Sequence, residues 1–208
     1  MSRKRLTRED SRDQTTQRLL DAAQKLIAKK GLSAASVEDI AEAAGYTRGA
    51  FYSNFSSKGD LFIELLRRDH QKAHAELGAL HSDALSLDCI EERSRELYGQ
   101  LYHDNESFMN WTEARMLAAR DARFRAKLNE LIAEKRDQIV QLIAYFYERA
   151  GTQAPVPPDA LAMGLMALVE GMKLSLLSSP GEMPAGTAES VLTLFIDSIM
   201  RIARLPSS

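Results

Sequence analysis

The sequence predicts an all-α protein of about nine helices. Apolar residues recur every three or four positions along most of its 208 residues, which is the spacing of an amphipathic helix. No stretch alternates apolar and polar residues in the manner of a half-buried strand. A hydrophobic content of 45% is enough for a packed core, so the composition argues against a disordered chain.

The first helix is predicted from Asp13 to Lys30. Its buried stripe recurs at helical spacing and comprises Leu19, Leu20, Ala23, Leu26 and Ile27. Gly31 follows and can end the helix, because it accepts a left-handed backbone. Upstream, Arg3, Lys4 and Arg5 form a short basic arm, for which contact with DNA and a solvated terminus are equally open interpretations.

A helix-turn-helix is predicted between Ser36 and Phe55. Ser36 suits the N-cap of its first helix, and Asp39 completes a capping-box pattern. Gly45 can end that helix, and Thr47 can cap the second one. Two short helices joined by a tight turn form a helix-turn-helix, whose second helix enters the DNA major groove.

The side chains on and beside this second helix are the candidates for DNA contact. Arg48 is the candidate for a base contact, because arginine can pair in bidentate fashion with guanine. Phosphate contacts, which position rather than specify, are expected from Thr47, Tyr52, Asn54 and Lys58. The full predicted DNA-binding set is Ser36, Thr47, Arg48, Gly49, Tyr52, Ser53, Asn54 and Lys58.

The segment from Ser36 to Leu61 resembles the DNA-binding signature of the TetR/AcrR family of bacterial transcription regulators. The matching residues are Asp39-Ile40-Ala41, Ala44-Gly45, Thr47-Arg48-Gly49-Ala50, Phe51-Tyr52, Phe55 and Ser57-Lys58 with Leu61. The likeness extends upstream through Arg18-Leu19-Leu20-Asp21-Ala22-Ala23 and Gly31. One departure is Asn54, where the family most often has His. The resemblance implies a ligand cavity in the helical remainder of the chain and dimerisation through its last two helices.

Charge is distributed unevenly along the chain. Residues 1–60 hold 11 Lys/Arg against 8 Asp/Glu, whereas the remainder holds 16 against 21, for an overall charge of −2. A basic first part favours nucleic-acid binding by that part alone. The single cysteine, Cys89, excludes a disulfide framework within the chain, and the charged N-terminus lacks the apolar run of a secretory signal. A cytoplasmic location is therefore expected.

Two domains are predicted, a helix-turn-helix domain over 1–57 and a ligand-binding and dimerisation domain over 58–208. A fourth helix, from Ser57 to about Leu80, joins them without a Gly- or Pro-rich linker. Three further helices are expected at Leu87–His103, at Ser107–Ala119 and from Phe124 to a stop at Gly151.

The last two predicted helices, Asp159–Ser178 and Thr187–Ala203, are apolar on more than one face. Such helices need a second neighbour, so we expect a homodimer, with burial inside a monomer as the alternative. Between Ala160 and Leu177, Glu170 and Lys173 favour a buried helix over a membrane span. The predicted interface consists of Leu165, Leu168, Met172, Leu176, Leu192, Phe195, Ile196 and Ile199.

Aromatic and methionine residues of the middle helices are candidates for lining a small-molecule site. The alternative is that they simply fill the core, and the resemblance to a family with a ligand cavity is what supports the site. The candidate residues are Tyr98, Tyr102, Phe108, Trp111, Glu113, Met116, Met166 and Glu170.

No enzyme active site, cofactor or metal is predicted. His70 and His74 lie four apart on one helix, a spacing that can bind a metal, but no second pair accompanies them. A solvated helix face is the expected role of these two residues. No Gly-rich phosphate loop and no partnered nucleophile occur in the sequence.

Together these features predict a ligand-responsive, DNA-binding transcription regulator. The specific expectation is a homodimeric repressor that a small, apolar or amphipathic effector releases from a palindromic double-stranded operator. The alternative is an all-α ligand-binding or scaffold protein that does not bind DNA through its helix-turn-helix. No membrane partner is expected.

Overall fold

A computed structural model describes residues 7–184 and 186–202. Within those residues all regular structure is helical, which confirms the predicted fold class. The basic arm of Arg3, Lys4 and Arg5 lies outside the described residues. The nine helices of the described chain are α1 (Arg8–Ala34), α2 (Val37–Ala43), α3 (Arg48–Asn54), α4 (Lys58–Gly78), α5 (Leu87–His103), α6 (Asn105–Arg120), α7 (Ala122–Arg149), α8 (Pro158–Ser178) and α9 (Thr187–Ile202).

The ends of several helices differ from the sequence-based expectation. Helix α1 begins before Asp13, because the Thr7 hydroxyl accepts a hydrogen bond from the backbone of Asp10 and so caps an earlier turn. At Gly31 the backbone φ of 78° bends α1, and a last turn follows before Ala35. Helix α7 begins at Ala122 because the Asp121 carboxylate accepts hydrogen bonds from two backbone N–H groups of the next turn.

The chain divides into two compact units. The first comprises the residues up to His70 together with Asn105–Leu131, and the second comprises Gln71–Asp104 with the residues from Ile132 onward. The expected boundary between residues 57 and 58 falls inside the first unit, since α6 packs along α1 there. As a division between two functions, that boundary stays a prediction.

The first unit has a core built on α1, α2 and α3. Leu20 and Ile27 of α1, Ile40 of α2, and Phe51 and Phe55 at α3 are all buried, as their spacing predicted. The start of α4 adds five more buried apolar residues, which are Leu61, Phe62, Ile63, Leu65 and Leu66. This core fixes α3 against its neighbours.

The second unit packs α5, α8, α9 and the later part of α7 around one apolar cluster. Polar side chains tie its helices together at three points. The Tyr147 hydroxyl donates to the Ile199 carbonyl at 2.7 Å, and Arg95 pairs with Asp197 at 2.6 Å. The buried Lys173 ammonium donates to the carbonyl oxygen of Asp104 at 2.9 Å.

Among the described helices, α8 is long and apolar enough to cross a membrane by length and composition. That criterion is weak, because core helices of folded proteins also meet it. Lys173, on α8, is buried beside the ring of Tyr102, and its ammonium also donates to the Tyr102 carbonyl. A buried charge needs hydrogen-bond partners, and these contacts supply them within the protein, which favours α8 as a packed helix.

Candidate nucleic-acid interface and effector region

Local hydrogen bonds set the start of α2. The Ser36 hydroxyl accepts from the backbone of Asp39, and the Asp39 carboxylate accepts in return from the backbone of Ser36, both at 3.0 Å. Lys30 pairs with the same carboxylate at 2.7 Å. The Lys30 ammonium, followed by the Ser36 donors, holds the pKa of Asp39 well below its usual range. The predicted capping box is therefore present.

A left-handed glycine sets the angle between α2 and α3. Gly45 has a φ of 77°, and no atom lies within 4 Å of the place where a Cβ would stand. Its backbone N–H donates to Glu42 at 2.9 Å, and that of Tyr46 donates to Ala41 at 2.8 Å. The requirement for glycine here is thus one of backbone conformation rather than of space.

Helix α3 is anchored on one face and open on the other. Phe51 is fully buried, with its ring centroid 5.7 Å from that of Phe55. Tyr52, the next residue, is 48% exposed. Thr47 caps the helix by accepting from the backbone of Ala50 at 3.3 Å. The exposed face of α3 presents Arg48, Gly49, Tyr52 and Ser53, all from the predicted DNA-binding set.

Arg48 projects from the N-terminal end of α3, and its side chain is 64% exposed. Its Nη1 lies 2.8 Å from Oε1 of Glu38 on α2, and its guanidinium carbon lies 5.5 Å from the centre of the Tyr52 ring. The Tyr52 hydroxyl and the Glu38 carboxylate both raise the pKa of Arg48. Sequence reasoning missed Glu38, because no local spacing rule links the two helices.

Asn54 is engaged inside the protein. Its amide nitrogen donates to the Ala50 carbonyl at 2.8 Å, and its amide oxygen accepts from the Thr16 hydroxyl at 3.1 Å. We expected Asn54 to contact phosphate, but in this structure both ends of the amide tie α3 to itself and to α1. The reason is its position at the last turn of α3, beside α1.

Lys58 is engaged in a similar way. Its ammonium donates to the carbonyls of Leu32 at 2.6 Å and Ala35 at 2.8 Å, and burial lowers the pKa of Lys58. The sequence predicted a phosphate contact, whereas the structure uses two of its three donors to hold the end of α1. These two carbonyls lie at the C-terminal end of α1, within reach of the long Lys58 side chain at the start of α4.

Burial within the chain divides the predicted dimer interface into two groups, and the interface itself stays a prediction. Leu165, Leu192, Ile196 and Ile199 lie in the core of the second unit, whereas the other four predicted residues, Leu168, Met172, Leu176 and Phe195, are half-buried. On helices that are apolar all round, periodicity does not show which face packs inward. The apolar side chains that α8 and α9 leave exposed are Met163, Leu174, Leu177, Val191 and Leu194.

The candidate ligand residues are divided between the two units, and their role in a ligand site stays a prediction. Phe108, Trp111, Glu113 and Met116 lie on α6 in the first unit, while Tyr98, Tyr102, Met166 and Glu170 belong to the second. Met116 is more than half exposed, and the Glu113 carboxylate lies against Gly31 of α1. Sequence spacing placed these residues on helices without revealing which unit each helix joins.

Tyr98 does line a cavity. Its volume is about 20 Å³, room for roughly one water molecule. The Tyr98 hydroxyl is buried without a hydrogen-bond partner, and burial raises the pKa of Tyr98. The other lining residues are Ser94, Ile139, Leu142, Ile143, Leu165, Ile196, Ile199 and Met200. The site is therefore apolar, with one free hydroxyl.

No group of three or more metal-binding side chains is gathered among the residues that the structure describes. His74 is exposed, as expected of a solvated face. His70 is instead buried, so it lies on the inward-facing side of α4.

Comparisons with known proteins agree with this architecture. Residues 19–65 match the family model of bacterial regulatory proteins of the tetR family, and residues 90–201 match the C-terminal model of BetI-type transcriptional repressors. The HTH-type regulator YwcC of Bacillus subtilis is 29% identical over 173 residues, covering 77% of this chain and 75% of YwcC. AcrR of Shigella flexneri is 45% identical over 61 residues, or 29% of this chain and 28% of AcrR.

Solved structures share the same fold. A TetR-family regulator from Rhodococcus sp. superposes with a TM-score of 0.75 at 25% identity, covering 90% of this chain and 99% of its own. A regulator from Saccharomonospora viridis in complex with choline gives a TM-score of 0.70 at 21% identity, covering 91% and 96%.

Proposed function

Because the chain belongs to the TetR family of bacterial regulatory proteins, we propose that it is a homodimeric repressor whose operator binding is weakened by a small apolar effector. Family membership makes it a helix-turn-helix regulator of transcription and leaves no support for a scaffold that does not bind DNA. Dimerisation, the effector and repression are the parts that we propose. The observation that carries the proposal is the exposed Arg48 at the end of the capped helix α3.

In this proposal α3 lies in the major groove of operator DNA. Arg48 contacts a guanine edge, and Thr47, Tyr52, Ser53 and the backbone at Gly49 lie along the phosphates. Two copies of α3, one from each subunit, meet half-sites about 34–36 Å apart, which is one turn of DNA. The proposal includes a cytoplasmic location, because operator DNA lies in that compartment.

A second copy of the chain is the partner proposed for the exposed face of α8 and α9. Leu194 is 66% exposed and Met163 is 54% exposed, although both are large apolar side chains. Large apolar side chains left exposed on two packed helices favour an interaction site there. A two-fold axis would pair α8 and α9 with their copies in a four-helix interface.

The cavity at Tyr98 is the proposed starting point of the effector site. A buried hydroxyl without a partner costs about 1–3 kcal/mol, which a ligand with a hydrogen-bond acceptor would recover. Because the cavity holds only about one water molecule, an effector must favour a more open state. Tyr98 is the only aromatic side chain lining the described cavity, so a neutral apolar ligand fits it better than a quaternary ammonium, which prefers several rings.

Selection from random duplex DNA tests the function. The full chain should enrich a palindrome whose half-sites lie about one helical turn, or 10–10.5 base pairs, apart. Arg48→Ala should remove the preference at one guanine of each half-site, while Arg93→Ala, an exposed arginine on α5, should leave the selected sequence unchanged. Failure to enrich any sequence, or enrichment of one isolated half-site, would contradict the proposal.

A further inference from the structure

An acidic side chain stands on the surface that we assign to DNA contact. Glu38 lies in the first turn of α2, its side chain is 57% exposed, and its Oε1 is 2.8 Å from Nη1 of Arg48. An ion pair this exposed contributes little to folding stability. A carboxylate here also repels DNA phosphates. Its position thus points to a role in DNA binding rather than in folding.

The ion pair with Glu38 uses Nη1 of Arg48 and leaves other guanidinium donors for a base contact. Glu38 contacts Nη1, and the guanidinium carbon lies 5.5 Å from the centre of the Tyr52 ring, so Arg48 has neighbours on two sides. An arginine has five donors, and a bidentate contact with guanine O6 and N7 needs only two of them. A restrained arginine also loses less side-chain entropy when it binds.

We propose that Glu38 is a positioning residue that sets sequence specificity, by holding Arg48 toward a base edge and opposing its contact with phosphate. This rests on the proposed function, in which Arg48 contacts a base. Glu38 thus weakens binding to DNA other than the operator while preserving binding to the operator. The quantity that it controls is the ratio of the two affinities rather than either one alone.

Two matched variants separate position from charge. Glu38→Gln removes the charge and the ion pair, and Glu42→Gln removes an equal charge from an exposed site on the same helix. Dissociation constants are measured for the selected operator and for an unrelated duplex of equal length at the same salt concentration. Since both constants come from one preparation, a loss of active protein cancels in their ratio.

The specificity ratio should fall about tenfold in Glu38→Gln, because the unrelated duplex binds more tightly and the operator does not. In Glu42→Gln both duplexes should bind slightly more tightly, with the ratio unchanged. Glu38→Asp, which keeps the charge on a shorter side chain, should lower the ratio without tightening binding to the unrelated duplex.

A double variant decides whether Glu38 acts through Arg48. In an Arg48→Ala background, Glu38→Gln should no longer change the specificity ratio. Equal ratios for Glu38→Gln and Glu42→Gln, or an effect that persists without Arg48, would overturn the inference while the wild-type protein still prefers its operator. A wild-type protein that prefers no sequence would instead overturn the proposed function.

Discussion

The helix-turn-helix and the interior of the second unit differ in how completely their polar groups are hydrogen-bonded. Ser36, Thr47 and Asn54 each have a hydrogen-bond partner within the protein. In the second unit, the described hydroxyls of Tyr98 and Tyr102 are buried without one. Unpaired buried groups are unfavourable and gain from a ligand or a rearrangement. Internal hydrogen bonds thus hold the helix-turn-helix, while the proposed effector region keeps buried hydroxyls that a ligand would satisfy.

The largest expected loss of folding stability comes from removing Phe51, the side chain that anchors α3 in the core. Phe51→Ala should lower the free energy of unfolding by about 3–5 kcal/mol, because it empties a fully buried site. Tyr52→Ala, one residue on and half exposed, should change it by about 0.5 kcal/mol or less. Denaturant unfolding measures both, and equal losses would show that α3 is not anchored through Phe51.

The turn before α3 should show the next effect. Gly45→Ala forces a side chain into a φ of 77° and should cost about 1–2 kcal/mol. Gly49→Ala, inside α3, meets no atom closer than 3.7 Å and should stabilise by up to about 1 kcal/mol. Opposite signs in thermal unfolding are the expected result. A neutral Gly45→Ala would mean that the turn is not fixed by this glycine.

Two tyrosines of the second unit allow a comparison between a hydrogen-bonded hydroxyl and one without a partner. Tyr147→Phe removes a hydrogen bond to the Ile199 carbonyl and should cost about 1 kcal/mol. Tyr98→Phe removes a hydroxyl that has no partner and should leave stability unchanged or slightly higher. A comparable loss for Tyr98→Phe in denaturant unfolding would show that its hydroxyl is already satisfied.

A change of folding stability with pH is also expected, from the buried Lys173. Burial lowers the pKa of Lys173 to about 8 from the usual 10.5, so between these values the unfolded chain binds more protons than the folded one. Stability from this group should therefore rise as pH increases through that window. The rise should be smaller in Lys173→Met, measured as unfolding free energy at pH 7.5 and pH 10. Identical pH slopes in the two proteins would contradict a lowered pKa of Lys173 in the folded state.

How far the sequence predicted the molecule depends on the range of each interaction. Ser36, Gly45 and Thr47 act on the backbone within a few residues, so their roles followed from spacing alone. Lys58 reaches carbonyls 26 and 23 residues away, and Glu38 meets Arg48 across two helices. Such contacts depend on how helices pack, which periodicity does not specify.

Periodicity also did not specify how the apolar helices α8 and α9 pack. The hydrophobic content of α9 predicted that it would be covered on more than one side, but burial alone showed that Leu192 and Ile196 face the chain's own core. The exposed Leu194 and Val191 are then the side chains left for a partner. Four residues expected at the dimer interface are thus buried within the chain itself, and the interface stays a prediction.

The most direct test of the account is the mass of the full chain in solution, measured by sedimentation equilibrium at micromolar concentration. The wild-type protein should be a dimer, and so should Gln100→Arg, which adds a charge at an exposed polar site on α5. Leu194→Arg, which places that charge on the exposed apolar face of α9, should be a monomer. A monomeric wild-type protein, or a Leu194→Arg variant that stays dimeric, would contradict pairing through α8 and α9.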